Sequence, residues 1–310
     1  MRVVTLVLIL FSAPMAVSAQ QRTPWGDPDL QGIWSNQTPI PLERPLALAG
    51  KATFTEAEAA EVERTSLQEI LKSVARAVPL SGELNEVWLE TQKGKVGPGR
   101  YTSLVIDPPD GRIPFTPEGR ARWDATPSIE GQVSGRPMAA NGPEDRPLDE
   151  RCISTGGLYV PNPFYNNYHQ IVQARGYVAI LTEMMHEMRI IPLDGRAPLG
   201  PNIRGWHGYS RGRWEGQTLV VETTNFNEQR LFEGATSQLR LVERFTRLDP
   251  DTIRYRLTVS DPATFSRPWT LENALRKSDG PMYEVACHEG NYGLAGILSG
   301  ARAEENRANR

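Results

Sequence analysis

The chain has 310 residues, with 34 Lys+Arg against 37 Asp+Glu, four His and two Cys. A formal charge of −3 with the two signs interspersed excludes the clustered basic surface that a phosphate backbone requires, so nucleic acid is not an expected partner. After the N-terminus no apolar run approaches the roughly 20 residues of a membrane-crossing helix, so no transmembrane segment is expected in the mature chain.

Residues 1–19 have the form of a cleavable signal peptide: Arg2 as a minimal basic region, Val3 to Phe11 as the apolar region, and Val17-Ser18-Ala19 as small residues before Gln20. The mature protein is therefore expected to be secreted or periplasmic, with 33 basic against 37 acidic side chains once Arg2 is removed. The remaining residues divide into an N-terminal segment (20–150), an antiparallel β domain (151–300) and a polar tail (301–310). In an oxidising compartment Cys152 and Cys287 are expected to form a disulfide rather than persist as buried thiols.

Thr23-Pro24-Trp25-Gly26-Asp27-Pro28-Asp29 is too rich in turn formers to be regular, and Leu30 to Trp34 follows as a candidate strand. Its Gly32-x-Trp34 resembles the entry strand of lipocalin-type (calycin) barrels. Thr55-Glu56-Ala57-Glu58 then announces a helix, because a Thr N-cap and a Glu three residues later can satisfy each other's backbone donors. Val62, Leu67, Ile70, Leu71, Val74 and Val78 recur at helical spacing up to Pro79, giving an amphipathic helix expected to lie along the β domain.

Between Gly94 and Pro163 the chain is dense in Pro and Gly. One hairpin is predicted inside it, Thr102 to Ile106 and Arg112 to Phe115 around Asp107-Pro108-Pro109-Asp110-Gly111. The remainder, including Ser134 to Pro147, is expected to be long loop, serving either function or simple wrapping of the core.

From Tyr168 onward, period-2 alternation broken by Gly, Asp and Pro predicts four hairpins. They are Tyr168 to Gln173 with Tyr177 to Thr182, Arg213-Trp214 with Thr218 to Thr224, Leu239 to Arg247 with Thr252 to Ser260, and Trp269 to Arg276 with Met282 to Cys287. The fold class is thus mainly β, an antiparallel meander closing into a barrel or sandwich to hide its edges. Parity places Ile253, Tyr255, Leu257 and Val259 inside. It also groups His186 with Met188 and Ile190 as inward, Glu183, Glu187 and Arg189 as outward, and Glu289 as inward with Tyr283, Val285 and Cys287.

Gly208-Tyr209-Ser210-Arg211-Gly212 fits G-x-S-x-G, but a nucleophile elbow needs a helix after the Ser, and a hairpin follows here. His186-Glu187 begins H-E-x-x-H, yet Ile190 stands where the second His belongs. His169, His186, His207, His288 and Glu289 have no short ligand spacing, so no metal site is predicted and no cofactor is named. The acid/base candidates are His186, His288 and Glu289. Tyr168, Tyr177, Trp206, Tyr255 and Tyr283 are candidate contacts for a small, partly apolar molecule in the barrel interior.

Five motifs resemble those of a family of exported bacterial proteins of unknown function: Asp29 to Trp34, Gly142 to Pro147, Arg189 to Arg196, Gly212 to Gly216 and Cys287 to Tyr292. The resemblance spans nearly the whole mature chain and implies export and a single-unit architecture, with no activity or catalytic residue attached. Three readings of function stay open: a ligand-binding barrel, an enzyme on the same barrel (hydrolase or isomerase), and a structural envelope-associated module.

Overall fold

The computed structural model describes residues 21–81, 94–125, 139–154, 167–227 and 234–310. The expected signal peptide and residues 134–138 of the predicted loop lie outside them. So do the side chains of Leu67, Ile70, Leu71, Val74 and Val78 within the N-terminal helix.

The chain folds mainly as β structure. Its strands are β1 (Gly32–Ser35), β2 (Val105–Asp107), β3 (Tyr168–Ala174), β4 (Tyr177–Thr182), β5 (Met188–Pro192), β6 (Tyr209–Glu215), β7 (Thr218–Thr224), β8 (Arg240–Asp249), β9 (Thr252–Ser260) and β10 (Trp269–Lys277). All pairings among these strands are antiparallel, in the order β5-β4-β3-β1-β10-β9-β8-β7-β6, with β2 on β10. The sheet curls into a nearly closed barrel. Among the described residues three α-helices accompany it: α1 (Glu56–Ser81), α2 (Pro117–Ala125) and α3 (Tyr292–Ala308). No helix among the described residues is long and apolar enough to cross a membrane.

Three hairpins form where turn chemistry and alternation place them. Gly176 and Gly216 take φ of +80° and +61°, which the tight connections β3–β4 and β6–β7 require. Across β3–β4, Ile171 faces Ile180 and Gln173 faces Val178, and these four are buried. Ile253, Tyr255, Leu257 and Val259 line the interior of β9 as expected.

The fourth hairpin does not form, because both edges of β10 are already taken. β9 pairs along one, and β1 and β2 share the other. Residues 282–287 are therefore not a strand, and the alternation that placed Glu289 inside does not apply. The predicted hairpin around Pro108 is likewise replaced: β2 joins β10, and Phe115 bridges Phe265.

Thr55 and Glu58 make the expected reciprocal cap, Thr55 N–H to Glu58 Oε2 at 2.8 Å and Glu58 N–H to Thr55 Oγ1 at 3.3 Å. Ala59 is buried in the core and Val62 packs against it, which seats α1 on the barrel, and the helix runs two residues past Pro79. α2 docks through Gly119, where a Cβ would stand 2.1 Å from the Thr264 carbonyl oxygen.

Cys152 and Cys287 are disulfide-bonded, with Cα atoms 5.7 Å apart. The bridge joins two turns rather than a strand end. Asn291 caps α3 by accepting from Leu294 N–H, and its amide donates to Glu150 O at 2.8 Å. Arg302 donates to the carbonyls of Asn141 and Ala140. The bridge therefore fastens the 139–152 segment to a C-terminal helix that takes in most of the expected polar tail.

Candidate functional site

The barrel interior is filled by its own side chains. Trp34, Trp269, Tyr255, Phe245, Ile171 and Ile180 are all at most 2 % exposed, and together with the other inward residues they form one apolar cluster. Within this cluster lies a charged knot. Arg189 of β5 reaches across to β8 and donates two hydrogen bonds to Glu243, at 2.8 and 2.9 Å, while the Tyr255 hydroxyl donates to the same carboxylate at 3.1 Å. Glu243 is fully buried and the Arg189 side chain 9 % exposed.

That knot reverses the predicted parity of β5. Met185 and His186 adopt left-handed backbone, φ +57° and +51°, in a 3-10 turn after β4. The alternation restarts there, so Glu187, Arg189 and Ile191 turn inward. Met188 and Ile190, expected inside, are 58 % and 61 % exposed. The charged residues can be buried because each finds a partner far along the chain: Glu243 for Arg189, and His207 Nδ1 at 3.6 Å from Glu187 Oε2.

The sheet has one seam, between β5 and β6, the two ends of the strand order. Here side chains meet where a backbone ladder would otherwise run. A Cβ on Gly212 would lie 2.6 Å from Leu193 Cδ2 and 2.9 Å from Ile191 Cγ2, so any larger residue there would have to displace these two side chains from β6. Above this contact the seam opens into a groove of about 460 Å³, within the usual range of small-molecule sites. Met188, Ile190, Leu199, Trp206 and Tyr209 give it an apolar lining, and Arg189, Arg196, His207 and Arg211 a basic one.

The β5–β6 loop that supplies Leu199, Trp206 and His207 is pinned by Asn225. Held at φ +60°, Asn225 donates its amide to the carbonyls of Gly200 at 2.9 Å and Ile203 at 3.0 Å. Its own carbonyl accepts from Gly205 N–H at 3.1 Å. Gly208 completes the clamp: at φ +63°, a Cβ there would fall 2.5 Å from Thr224 O.

The predicted ligand-contact residues separate. Trp206 lines the groove. Tyr177 stands beside it, accepting from Arg196 at 3.1 Å with the guanidinium 5.9 Å from its ring centre. Tyr255 is sealed in the core and serves Glu243. Tyr168 and Tyr283 supply backbone N–H groups to the Glu183 carboxyl. Tyr283 is itself 58 % exposed.

The predicted acid/base residues do not converge. His186 points outward and its Nε2 lies 3.1 Å from Glu284 Oε1. His288 and Glu289 sit exposed on the short turn beside the disulfide. Among the described residues no group of three or more His, Cys, Asp or Glu is placed to hold a metal ion. The histidine that does reach the groove is His207. It was visible in the sequence only as one of four scattered imidazoles, because the carboxylate behind it belongs to another strand end.

Two buried titratable groups lie near this end of the barrel. Burial pushes Glu183 up to about 7, against the pull of the Tyr283 and Tyr168 N–H groups, and its Oε2 has no hydrogen-bond partner. Burial pushes His169 down to about 3, with the Arg189 charge adding to the effect; its Nδ1 contacts Thr182 Oγ1 at 3.2 Å and its Nε2 is unpartnered.

The pH consequences have opposite signs. Unfolded Glu183 ionises near 4.5 while the folded group holds its proton to about 7, so its contribution to stability falls as pH rises through that window. Unfolded His169 protonates near 6.5 and the folded ring does not until about 3, so its contribution falls as pH drops below 6.5. Between 4.5 and 6.5 the two slopes oppose. Glu183→Gln is expected to expose the His169 slope alone, with the thermal midpoint declining steadily below pH 6.5 and no longer falling between 6.5 and 7. Thermal melts across the range read this directly, and an unchanged profile would reject the assignment.

No family model, curated protein or solved structure matches the chain.

Proposed function

We propose that the chain is an exported barrel protein that binds a small, partly apolar molecule, and that it does so in the seam groove and not in the barrel interior. The observation that carries this reading is the combination of a packed core with an open, apolar groove. Met188, Ile190, Leu199 and Tyr209 are each at least 38 % exposed, yet they line one concavity between two strand edges. Apolar side chains gathered in a concave site, with a few placed polar groups, are what a small-molecule site requires. The signal-like N-terminus and the Cys152–Cys287 bridge support export, since structural disulfides belong to oxidising compartments.

Binding of the uncharged fluorophore N-phenylnaphthylamine tests the site. Ile190→Glu places a carboxylate in the groove at a position 61 % exposed, so the variant is expected to fold as the wild type does, which its thermal melt checks. It is expected to weaken the probe at least about tenfold, the equivalent of one buried apolar contact replaced by a charge. Equal binding by the variant would reject the groove as the site.

A second reading has one observation in its favour. His207 lines the groove with the buried Glu187 carboxylate behind it, the arrangement that orients an imidazole for proton transfer. On this reading the enzyme alternative rests on His207 and Glu187 instead of His186, His288 and Glu289. Turnover of an ester or enolisable substrate that His207→Gln abolishes, while N-phenylnaphthylamine still binds, would establish it.

A further inference from the structure

We infer that the groove selects an amphipathic anion, a molecule with an apolar body and one carboxylate, sulfonate or phosphate group, and that Arg211 is the residue that receives the anionic end. This rests on the reading of the groove as the binding site and adds the charge of what enters it.

The inference comes from an inventory of charge. The groove lining includes Arg189, Arg196, His207 and Arg211 and contains no Asp or Glu. Two of the three guanidiniums are already engaged, and the imidazole has a carboxylate beside it. Arg189 is held bidentately by Glu243, Arg196 is locked to Asp194 and Tyr177, and His207 leans on Glu187.

Arg211 differs. Its side chain makes no hydrogen bond among the described residues, and its nearest carboxylate oxygen, Glu222 Oε1, is 4.0 Å away. That carboxylate is committed elsewhere, to Arg240 Nε at 3.0 Å. The next carboxylate along β6, Glu215, is also shared, between Arg213 and Arg244. Four arginines on this outer face of β6, β7 and β8 thus divide two carboxylates. That leaves an excess of positive charge on this face, and the least tightly paired of the four, Arg211, stands at the groove on a side chain that is only 24 % exposed.

A guanidinium in that setting is partly stripped of water and only weakly compensated by protein, by a carboxylate 4.0 Å away that Arg240 holds more closely. An anion brought to it gains a charge-assisted, potentially bidentate pair with little competition from solvent. Met188 and Ile190 on the facing strand offer the apolar surface along which the rest of the molecule would lie. A cation would meet the same excess positive charge and be repelled, and a neutral apolar molecule would leave Arg211 as it is. The geometry therefore separates these ligand classes by charge and not by size.

Two fluorophores that share one skeleton test this: anilinonaphthalene sulfonate and its uncharged parent N-phenylnaphthylamine, titrated into the intact disulfide-bonded chain. Arg211→Gln makes a suitable variant, because no hydrogen bond is lost with the guanidinium, and Ile190→Glu serves as the groove control. The sulfonate is expected to bind at least about tenfold tighter than the parent, the worth of one charge-assisted hydrogen bond. Arg211→Gln should erase that preference while leaving the parent's affinity unchanged. If both probes bind equally and Arg211→Gln alters neither, while Ile190→Glu weakens both, the groove remains the site and the anion selectivity is overturned. If neither probe binds, or Ile190→Glu affects neither, the site and its selectivity fall together.

Discussion

Arg189→Met is expected to destabilise the fold by about 3–5 kcal/mol, the cost of breaking a buried ion pair by deleting one partner. The two halves of the pair are not equivalent. Arg189 lines the groove and would have water within reach if Glu243 were removed. Glu243 has no such escape: it is fully buried in the middle of β8, flanked across the sheet by Val221 and Leu257. Without Arg189 its carboxylate keeps only neutral donors such as the Tyr255 hydroxyl, so it must either stay charged in an apolar core or take up a proton. Adding Glu243→Gln to Arg189→Met removes the stranded charge and keeps an acceptor for Tyr255. The double variant should therefore be more stable than Arg189→Met alone. Urea unfolding of the wild type and both variants provides the comparison. A single variant within about 1 kcal/mol of wild type would show that the pair is dispensable.

Trp34→Ala should cost a similar amount, about 3–5 kcal/mol for a large side chain removed from a packed core. Trp34 is fully buried although its strand has only four residues. Its ring lies 5.5 Å below the Arg247 guanidinium, its indole N–H donates to Leu30 O at 3.0 Å, and Arg247 in turn donates to Asp29 O at 2.8 Å. The loss is thus a cavity together with a cation–π contact that anchors the segment entering β1. Trp34→Phe, which keeps most of the volume, should recover more than half of the loss. If alanine and phenylalanine were equally harmful, the indole N–H and not the packing would be the source.

What could be read from the amino-acid sequence follows how local each cause is. The β3–β4, β6–β7 and β8–β9 hairpins are specified by residues within about twenty positions of one another, so alternation and turn chemistry suffice to locate them. The Thr55–Glu58 cap is equally local. β10 shows the opposite case: its own pattern looks like half of a hairpin, but residues 33–35 and 105–107 claim the edge that residues 282–287 would need. The groove was illegible for the same reason. Met188 and Ile190 carry the apolar alternation of an inward face, and only a partner 54 residues away makes it cheaper to bury Arg189. The Cys152–Cys287 pairing was legible because two cysteines allow one bridge. What the bridge fastens was not, since α3 has few of the long apolar repeats that announce a helix.

The place of β1 in the strand order has a kinetic consequence. β3, β4 and β5 can pair with one another as soon as they are made, and so can β6 through β10, but among the described residues their backbone ladders are joined only through β1, whose register with Tyr168–Ile171 and Arg276–Lys277 spans most of the chain. Loop closure over such distances is slow. Folding should therefore pass through a stage with two sheets formed and the slot between them open, each with an edge able to pair with another molecule. A short strand near the start of the chain is then the last piece to be fitted, and a chain clipped ahead of Asn36 would be expected to aggregate although every hairpin it needs is still present.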